Sequence, residues 1–376
     1  MSLKTRITER IRTGGPMSVA EYMTLCLLDP VDGYYPTRDP LDPGLGEGGD
    51  FITAPEISQM FGEVIGLWAL QCWRDLGSPP RVRLIELGPG RGTLMADVLR
   101  SFRLDPAAQR AVSVHLVEAS SALQAVQADT LKLVPCPVDW HDKLEDVPEG
   151  ESIILGNEFL DCLPVRQFIQ TEDGQRSGWR ERVVTLAKEQ GDGDELVFAQ
   201  GTATAEGVTL PVHNSEADAG ELLEVRPSVE QLMDVLKARF TKRPGRALFI
   251  DYGPAETSFG DTLQAIVRHE KVDPLADPGN TDLTARVDFE ALREMANAAE
   301  LDVAGPATQA AFLSRLGIEV RASALARANP DSQALLGRQL KRLTGADEMG
   351  ELFKAVCVSA PGLPEPLGFE MGGSSA

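Results

Sequence analysis

A glycine-rich turn after an apolar run is the part of this sequence best suited to bind a ligand. The run contains Glu86 and is followed by three alternating glycines, Gly88, Gly90 and Gly92. Glycines leave no side chain in a turn, so a ligand can approach the backbone closely. If a helix follows from Thr93, its first amide groups face that ligand. The pattern predicts a strand, a ligand-binding turn and a helix; a tight turn without a ligand is the alternative.

Two acids near this turn have different predicted roles. Glu118 follows the turn by one helix and one strand, which places it at the carboxyl end of the neighbouring strand. A carboxylate at that position can accept hydrogen bonds from both ribose hydroxyls of a nucleoside. A surface acid at a strand end is the alternative. Glu86 is predicted to tighten the turn or to contact the ligand through water, rather than to perform chemistry.

A second polar group follows the predicted fourth strand and contains Asn157, Glu158 and Asp161. The carboxyl ends of the strands in an open α/β sheet face the ligand crevice. Carboxylates there are costly to bury unless they bind something. Carboxylates also hold a guanidinium group in bidentate geometry, so a cationic acceptor is predicted. The alternative is a helix cap formed by Asn157, with Glu158 in the first helical turn.

The third predicted strand is followed by a smaller set of candidates. Asp139 and Asp142 flank Trp140 and His141, and Asp142 is a candidate contact to an adenine amino group. A solvated turn explains these acids equally well. His141 and His269 are candidate proton acceptors, although a lone histidine is more often structural.

The elements that position these residues alternate between strands and helices, which predicts an α/β fold with a parallel sheet. The turn requires a helix over residues 93–102. The apolar runs predict six strands, at 81–87, 113–117, 138–140, 152–156, 246–251 and 352–359.

The domain organisation follows from where this alternation begins and is interrupted. Residues 1–77 are predicted to form an N-terminal helical cap with a lid loop, and residues 78–376 the core. Residues 165–212 alternate apolar and polar side chains between turn signals, which predicts inserted β-hairpins. The loop at 41–49 is rich in proline and glycine, and irregular loops of this kind are often functional.

The charge of the chain restricts its partners. Its 376 residues have a formal net charge of −21. Nucleic-acid binders usually present a basic surface, so a nucleic-acid partner is disfavoured. A cationic substrate fits the charge better, although acidity also serves solubility.

Cysteine usage and hydropathy indicate the compartment. The five cysteines form no C-x-x-C pair and the four histidines do not cluster with them, so no metal site is predicted. Scattered thiols favour a reducing compartment such as the cytoplasm. No apolar run is long enough for a membrane span. The basic N-terminus reads as an amphipathic helix with Leu3, Ile7 and Ile11 on one face; a mitochondrial presequence is the alternative.

The spacing of the glycines separates two cofactor classes. The dinucleotide fingerprint GxGxxG would place its third glycine at position 93, where this chain has Thr93. The pattern that begins at Glu86 and ends at Gly92 instead resembles the first motif of S-adenosylmethionine (SAM) methyltransferases.

Several stretches together resemble one family, the MidA-type class I methyltransferases, whose eukaryotic member is a mitochondrial arginine methyltransferase that assists assembly of respiratory complex I. They occur in order along nearly the whole chain: Gly33–Tyr35, Gly49–Gln59, Glu86–Gly92, His115–Glu118, Gly156–Asp161, Asp251–Gly253 and Asp282–Phe289. The 41–49 loop is longer than this family leads us to expect.

The resemblance implies a Rossmann-like, seven-stranded SAM-dependent methyltransferase core with SAM as cofactor. It also implies symmetric dimethylation of an arginine on the 49 kDa-type subunit of complex I. The glycine turn and Glu118 would then hold SAM, and Glu158 and Asp161 would hold the target arginine. The location would be the cytoplasm, or the mitochondrial matrix in a eukaryote.

Two other functions stay open on the sequence alone. One is a nicotinamide-dependent oxidoreductase, against which Thr93 argues. The other is a non-catalytic assembly factor that keeps the fold and binds the complex I subunit. The sequence leaves the oligomeric state open, with a homodimer as one candidate.

Overall fold

The structure is a computed structural model that describes residues 1–37, 53–173, 176–187, 195–205, 208–211, 217–267 and 270–369. The predicted lid loop at 41–49 and His269 lie outside the described residues. The chain forms two compact units. The first unit comprises Met1–Phe51, Asp161–Gln231 and Glu256–Ala291; the second comprises Ile52–Leu160, Leu232–Ala255 and Leu292–Ala376.

The α-helices in chain order are α1 (Leu3–Gly14), α2 (Val19–Leu28), α3 (Tyr34–Thr37), α4 (Ala54–Ile57), α5 (Gln59–Asp75), α6 (Thr93–Phe102), α7 (Pro106–Ala111), α8 (Ser121–Thr130), α9 (Pro227–Lys242), α10 (Phe289–Ala298), α11 (Gln309–Arg315), α12 (Ile318–Ala328), α13 (Gln333–Thr344) and α14 (Met349–Leu352).

The strands in chain order are β1 (Met17–Ser18), β2 (Val82–Leu87), β3 (Val112–Val117), β4 (Val138–His141), β5 (Ser152–Asn157), β6 (Arg166–Asp173), β7 (Arg176–Leu186), β8 (Leu196–Thr204), β9 (Leu222–Val225), β10 (Gly245–Tyr252), β11 (Gln264–Val267), β12 (Glu270–Val272), β13 (Asp282–Thr284), β14 (Asp302–Thr308) and β15 (Phe353–Ser359).

The second unit is built on a seven-stranded sheet with the order β14-β15-β10-β5-β2-β3-β4. The pairs from β10 to β4 are parallel, and β15 runs antiparallel to both β10 and β14. The central strands are apolar on both faces, as expected for a parallel sheet that helices cover on both sides. This sheet confirms the predicted α/β fold and its seven strands.

The edge strand β14 was not predicted, because its sequence contains Gly305 and Pro306. Proline cannot donate a ladder hydrogen bond and is confined to edge strands and bulges. The pairing with β15 shifts register between Ala304 and Ala307, so the proline lies at an irregularity of the edge. Helix α12 (Ile318–Ala328) was also not predicted.

The helical segment before β2 is divided in two. Periodicity predicts one helix from about residue 53 to about residue 76, but Ser58 has extended backbone angles between α4 and α5. Its hydroxyl accepts a hydrogen bond from the amide of Met60, so Ser58 caps the second helix. Helix α5 then packs Phe61, Val64 and Trp68 into the core of the second unit.

The first unit contains two small sheets. One has the order β1-β7-β6-β9 with β8 paired to β7, and the other has the order β12-β11-β13. The hairpins β6–β7 and β7–β8 occur where the alternating pattern predicts them. The turn signals in residues 254–285 predict a loop, but the segment contains β11 to β13. The predicted domain division between residues 77 and 78 stays a prediction.

The N-terminal helices belong to the core of the first unit. Leu3, Ile7 and Ile11 are buried, which confirms the amphipathic interpretation of α1. Ser18 and Glu21 are three residues apart, a spacing that predicts a capping box. They form one at the start of α2, since each side chain bonds the other residue's amide. Within the described part of the chain, no helix has the length and apolar character needed to cross a membrane.

Candidate functional site

The glycine turn has a backbone that only glycine adopts readily. Gly88, Gly90 and Gly92 have φ angles of 63°, 50° and 81°, and Gly92 is the N-cap of α6. A side chain would be strained at these angles. A Cβ atom on Gly88 would also lie 3.2 Å from the ring of Phe159. The backbone of the turn is therefore kept bare at the end of β2, and α6 begins at Thr93 as predicted.

Glu118 lies beside this turn because β2 and β3 are parallel and in register, with Leu87 opposite Val117. Its Oε1 accepts a hydrogen bond from the amide of Ser120 at 2.8 Å. Burial raises the pKa of Glu118, while this amide and the side chain of Gln127 oppose the shift. The predicted strand-end position is correct, and the ribose-binding role stays a prediction.

Gln127 connects the turn to Glu118, a role that sequence reasoning missed. Its side chain is fully buried, and its Nε2 donates to the carbonyl of Gly90 at 2.8 Å and to Oε2 of Glu118 at 3.1 Å. Its Oε1 accepts from the indole N–H of Trp140 at 2.9 Å. One signal was available: Gln127 is four residues after Leu123 on α8, on the face that is buried.

If the turn binds the S-adenosyl cofactor that the family resemblance implies, Gln127→Ala should weaken binding of S-adenosylhomocysteine about tenfold. It should also lower the free energy of unfolding by about 2 kcal/mol, because buried partners lose their hydrogen bonds. Calorimetric titration and thermal unfolding measure the two effects. Gln109→Ala, the same truncation on α7, is the matched control and should change neither. An unchanged dissociation constant for Gln127→Ala would contradict a role of Gln127 in organising the turn and Glu118 for ligand binding.

Glu86 is enclosed in the sheet, with only 2% of its surface exposed. Burial raises the pKa of its carboxyl group to about 8. Its Oε2 atom has no hydrogen-bond partner among the described residues. A buried polar atom without a partner is costly. The two predicted roles of Glu86, a water-mediated contact to a ligand and a role in tightening the turn, stay predictions.

Asn157 and Glu158 lie at the carboxyl end of β5. No helix follows them, so the helix-cap interpretation of Asn157 is wrong. Glu158 has a φ of 51°, a strained conformation for a side chain of this size. Its Oε1 accepts from the amide of Ala54 at 3.1 Å and from Nδ2 of Asn157 at 3.0 Å. Oδ1 of Asn157 is buried without a partner among the described residues, so it is available to a donor.

Asp251 holds this strained segment in place. It is fully buried, and its Oδ2 accepts from the amides of Phe159 and Leu160 at 3.1 and 2.8 Å. The amide of Glu158 donates to the carbonyl of Ile250 at 2.9 Å. Asp251 is therefore a positioning residue for Glu158, a role that depends on the pairing of β5 with β10.

Asp161 belongs to the first unit, whereas Glu158 belongs to the second. Its carbonyl accepts from the amide of Ala285 at 3.0 Å and from the buried guanidinium of Arg226 at 3.4 Å. Burial raises the pKa of its carboxyl group to about 6, and the charge of Arg226 opposes this shift. Its predicted catalytic role stays a prediction.

The candidates after β4 lie at the edge of the sheet. Asp142 is exposed, and its predicted contact to an adenine group stays a prediction. His141 contacts a second imidazole instead of a polar cavity: its Nε2 lies 3.0 Å from Nδ1 of His115. Nε2 of His115 lies 3.1 Å from the hydroxyl of Ser113. The structure thus supports a structural role for His141.

The pair of imidazoles predicts acid sensitivity. Burial, the neighbouring His141 and two arginines lower the pKa of His115 to about 4. The unfolded chain binds this proton near pH 6.5 and the folded chain only near pH 4, so folding stability falls as the pH drops through this window. His115→Gln should lose part of this acid sensitivity, measured by urea unfolding between pH 7 and pH 4.5. An unchanged dependence of the free energy of unfolding on pH would contradict the role of His115 in acid sensitivity.

Together these groups place backbone amides and polar side-chain oxygens at one edge of the parallel sheet. A bare glycine backbone, the carboxylate of Glu118 and the unpaired oxygens of Glu86 and Asn157 lie on three adjacent parallel strands. No group of three or more possible metal ligands occurs among the described residues. A seven-stranded Rossmann-like sheet with this turn defines the class of SAM-dependent methyltransferase folds.

Comparisons with known proteins agree with this class. Residues 64–307 match the family model described as "Putative S-adenosyl-L-methionine-dependent methyltransferase". The chain belongs to this family of SAM-dependent methyltransferases.

Relatives and a solved structure cover nearly the whole chain. Protein arginine methyltransferase NDUFAF7 of mouse mitochondria is 39% identical over 92% of this chain and 81% of its own. The fruit-fly homologue is 36% identical over 94% of this chain and 84% of its own. A candidate methyltransferase from Burkholderia thailandensis, crystallised with S-adenosylhomocysteine, is 28% identical with a TM-score of 0.83, covering 97% of this chain and 93% of its own.

Proposed function

We propose that this SAM-dependent methyltransferase modifies an arginine side chain of a protein. The observation that carries the proposal is the strained Glu158 at the carboxyl end of β5, with its carboxylate oriented by Asn157 and the amide of Ala54. Relatives at 36–39% identity named as protein arginine methyltransferases support it. The acidic chain, with a net charge of −21, also suits a basic acceptor.

SAM is assigned to the glycine turn of the second unit. Gly88, Gly90 and Gly92 offer it a bare backbone and the first amides of α6. The Glu118 carboxylate is assigned to the ribose hydroxyls, with its orientation fixed by Gln127. Further contacts are assigned to Glu86, through water, and to the exposed Asp142, beside the adenine.

Glu158 is assigned to the guanidinium of the acceptor, and Asn157 and Asp161 are the other candidates for this role. A carboxylate that accepts a guanidinium N–H fixes the orientation of the reacting nitrogen. The unpaired Oδ1 of Asn157 is a second acceptor for such an N–H group. Asp161 follows three residues later and its carboxyl group is also buried.

The reaction needs positioning more than acid–base catalysis. Bound SAM supplies a methyl group on a positively charged sulfur. Alignment of the two reacting groups supplies a large part of the rate enhancement. Asp251 contributes indirectly, since it holds the segment after Glu158 through two backbone amides. Exclusion of water strengthens the attraction between Glu158 and a guanidinium group.

We further propose that the acceptor is a subunit of respiratory complex I and that the protein supports assembly of that complex, as the MidA-type resemblance implies. The relatives are named as mitochondrial proteins. The corresponding locations are the cytoplasm of a bacterium and the mitochondrial matrix of a eukaryote. A non-catalytic assembly factor is the competing function.

Transfer of an isotope-labelled methyl group from SAM to protein tests the activity. The protein is incubated with purified complex I subunits, and mass spectrometry locates the label. We expect labelled arginine on one subunit. Label on another residue type, or no label on any subunit while SAM binds, would contradict arginine methylation and favour the non-catalytic function.

A further inference from the structure

An open groove of about 580 Å³ lies within the second unit, and none of the side chains assigned to SAM lines it. Its walls come from the junction of α4 and α5, from α6, and from α12 and α13. Its residues combine apolar and charged groups: Pro55, Ile57, Leu325 and Leu336 are apolar, and Glu56, Asp97 and Arg100 are charged. Its volume falls within the range of ligand sites in proteins.

Asp97 is the buried charged group of this groove. Only 4% of its surface is exposed, and Oδ1 lies 3.3 Å from the guanidinium of Arg100. Burial and the charges of Glu63 and Glu56 raise the pKa of Asp97 to about 6, and Arg100 opposes the shift. A cation in the groove would therefore meet a buried carboxylate, which Arg100 already pairs with at one oxygen, and the nearby negative charges of Glu63 and Glu56.

The one cation that lines the groove, among the described residues, is already engaged. Nη1 of Arg100 donates to Oε1 of Gln59 at 2.9 Å, and its other nitrogen faces Asp97. Glu56 adds a second, exposed carboxylate at the rim. The groove is thus net acidic, with apolar walls formed by Ile57 and Leu336.

The position of the groove relates it to methyl transfer. Thr93, which lines the groove, directly follows the last glycine of the turn. Asp97 is four residues further along α6, a rise of about 6 Å. A peptide that occupies the groove therefore lies within one helical turn of the residues assigned to SAM.

We propose that this groove binds a second basic side chain of the protein substrate, at a position flanking the arginine that is methylated. The proposal rests on the proposed function, because it requires a protein substrate. The carboxylates of Asp97 and Glu56 receive the charged end, and the apolar walls contact the methylene stem. Arginine and lysine side chains bury their stems against apolar surfaces in this way.

Peptide binding to the full-length protein tests the groove, with S-adenosylhomocysteine present. The probes are fluorescein-labelled peptides of one length that contain Arg-Gly-Gly-Arg, Gln-Gly-Gly-Arg or Glu-Gly-Gly-Glu between glycines. Fluorescence anisotropy gives their dissociation constants for wild type, Asp97→Asn, Glu56→Gln and the control Asp234→Asn, an exposed acid on α9. Circular dichroism verifies that each variant is folded.

We expect the two-arginine peptide to bind best. Asp97→Asn should weaken it about tenfold, because a buried charge loses its partner. Glu56→Gln should weaken it about twofold, since exposed pairs contribute little. Neither variant should affect the one-arginine peptide beyond the change seen in Asp234→Asn. Equal binding of all three peptides, or equal effects of Asp97→Asn and Asp234→Asn, would overturn the proposal.

The same variants separate this proposal from the proposed function. Asp97→Asn should bind S-adenosylhomocysteine as tightly as wild type. If the protein binds the cofactor and transfers methyl groups but shows no preference among the peptides, the proposed binding of a basic side chain in the groove is refuted. The proposed function then still stands. Absence of methyl transfer from every protein acceptor would refute the proposed function, and the peptide dissociation constants would still decide the groove.

Discussion

Glu118→Ala is expected to weaken binding of S-adenosylhomocysteine at least about a hundredfold. The Glu118 carboxylate is positioned by Ser120 and Gln127, and removing it takes away the acceptor assigned to both ribose hydroxyls. Loss of a charged acceptor from two hydrogen bonds costs about 3 kcal/mol. This corresponds to about two orders of magnitude in the dissociation constant. Isothermal titration calorimetry at neutral pH gives the value directly.

Two comparisons make this result specific to the ribose contact. Glu145→Ala removes an exposed acid of the same unit and should leave binding unchanged. Glu118→Gln keeps the length of the side chain and one acceptor oxygen, so its affinity should fall between those of wild type and alanine. A Glu118→Ala protein that is folded and binds with wild-type affinity would remove Glu118 from the site.

Glu158→Gln is expected to reduce methyl transfer by about two to three orders of magnitude, the typical loss when one electrostatic contact to a reacting group is removed. Affinity for SAM should stay within about threefold of wild type, because Glu158 is assigned to the acceptor guanidinium and not to the cofactor. Glutamine still offers an oxygen to the amide of Ala54 and to Asn157, so the local structure is preserved. Rates come from labelled methyl transfer, with Glu145→Gln as the control.

The alternative role of Glu158 gives a different result. If Glu158 only maintains the strained turn after β5, glutamine should support near-normal transfer, because it can make the same backbone contact. Alanine should then be the damaging variant, through loss of stability. Full activity of Glu158→Gln would also favour a different acceptor for the guanidinium, and Asp161→Asn is the next variant to compare.

The elements around the site could be predicted because each is specified locally. Helix α6 spans residues 93–102 as expected, since the glycine turn fixes its start and apolar spacing fixes its buried face. The strand-end position of Glu118 follows from counting one helix and one strand after the turn. The six predicted strands all occur, and no end is shifted by more than one residue.

The contacts that complete the site could not be predicted, because they depend on pairing between distant segments. Gln127 reaches Gly90 and Trp140 only after β2, β3 and β4 assemble side by side. Asp251 positions Phe159 only because β10 pairs with β5. Asn157 resembled a helix cap in sequence, but the positive φ of Glu158 takes the chain away from a helix.

Binding of SAM at the glycine turn is the central claim, and a calorimetric titration of the wild-type protein with SAM and S-adenosylhomocysteine tests it most directly. NADH, titrated under the same conditions, represents the dinucleotide cofactors that Thr93 argues against. We predict saturable binding of SAM and S-adenosylhomocysteine at one site and no binding of NADH. Absence of binding by SAM and S-adenosylhomocysteine to the folded protein, or saturable binding of NADH, would contradict the claim.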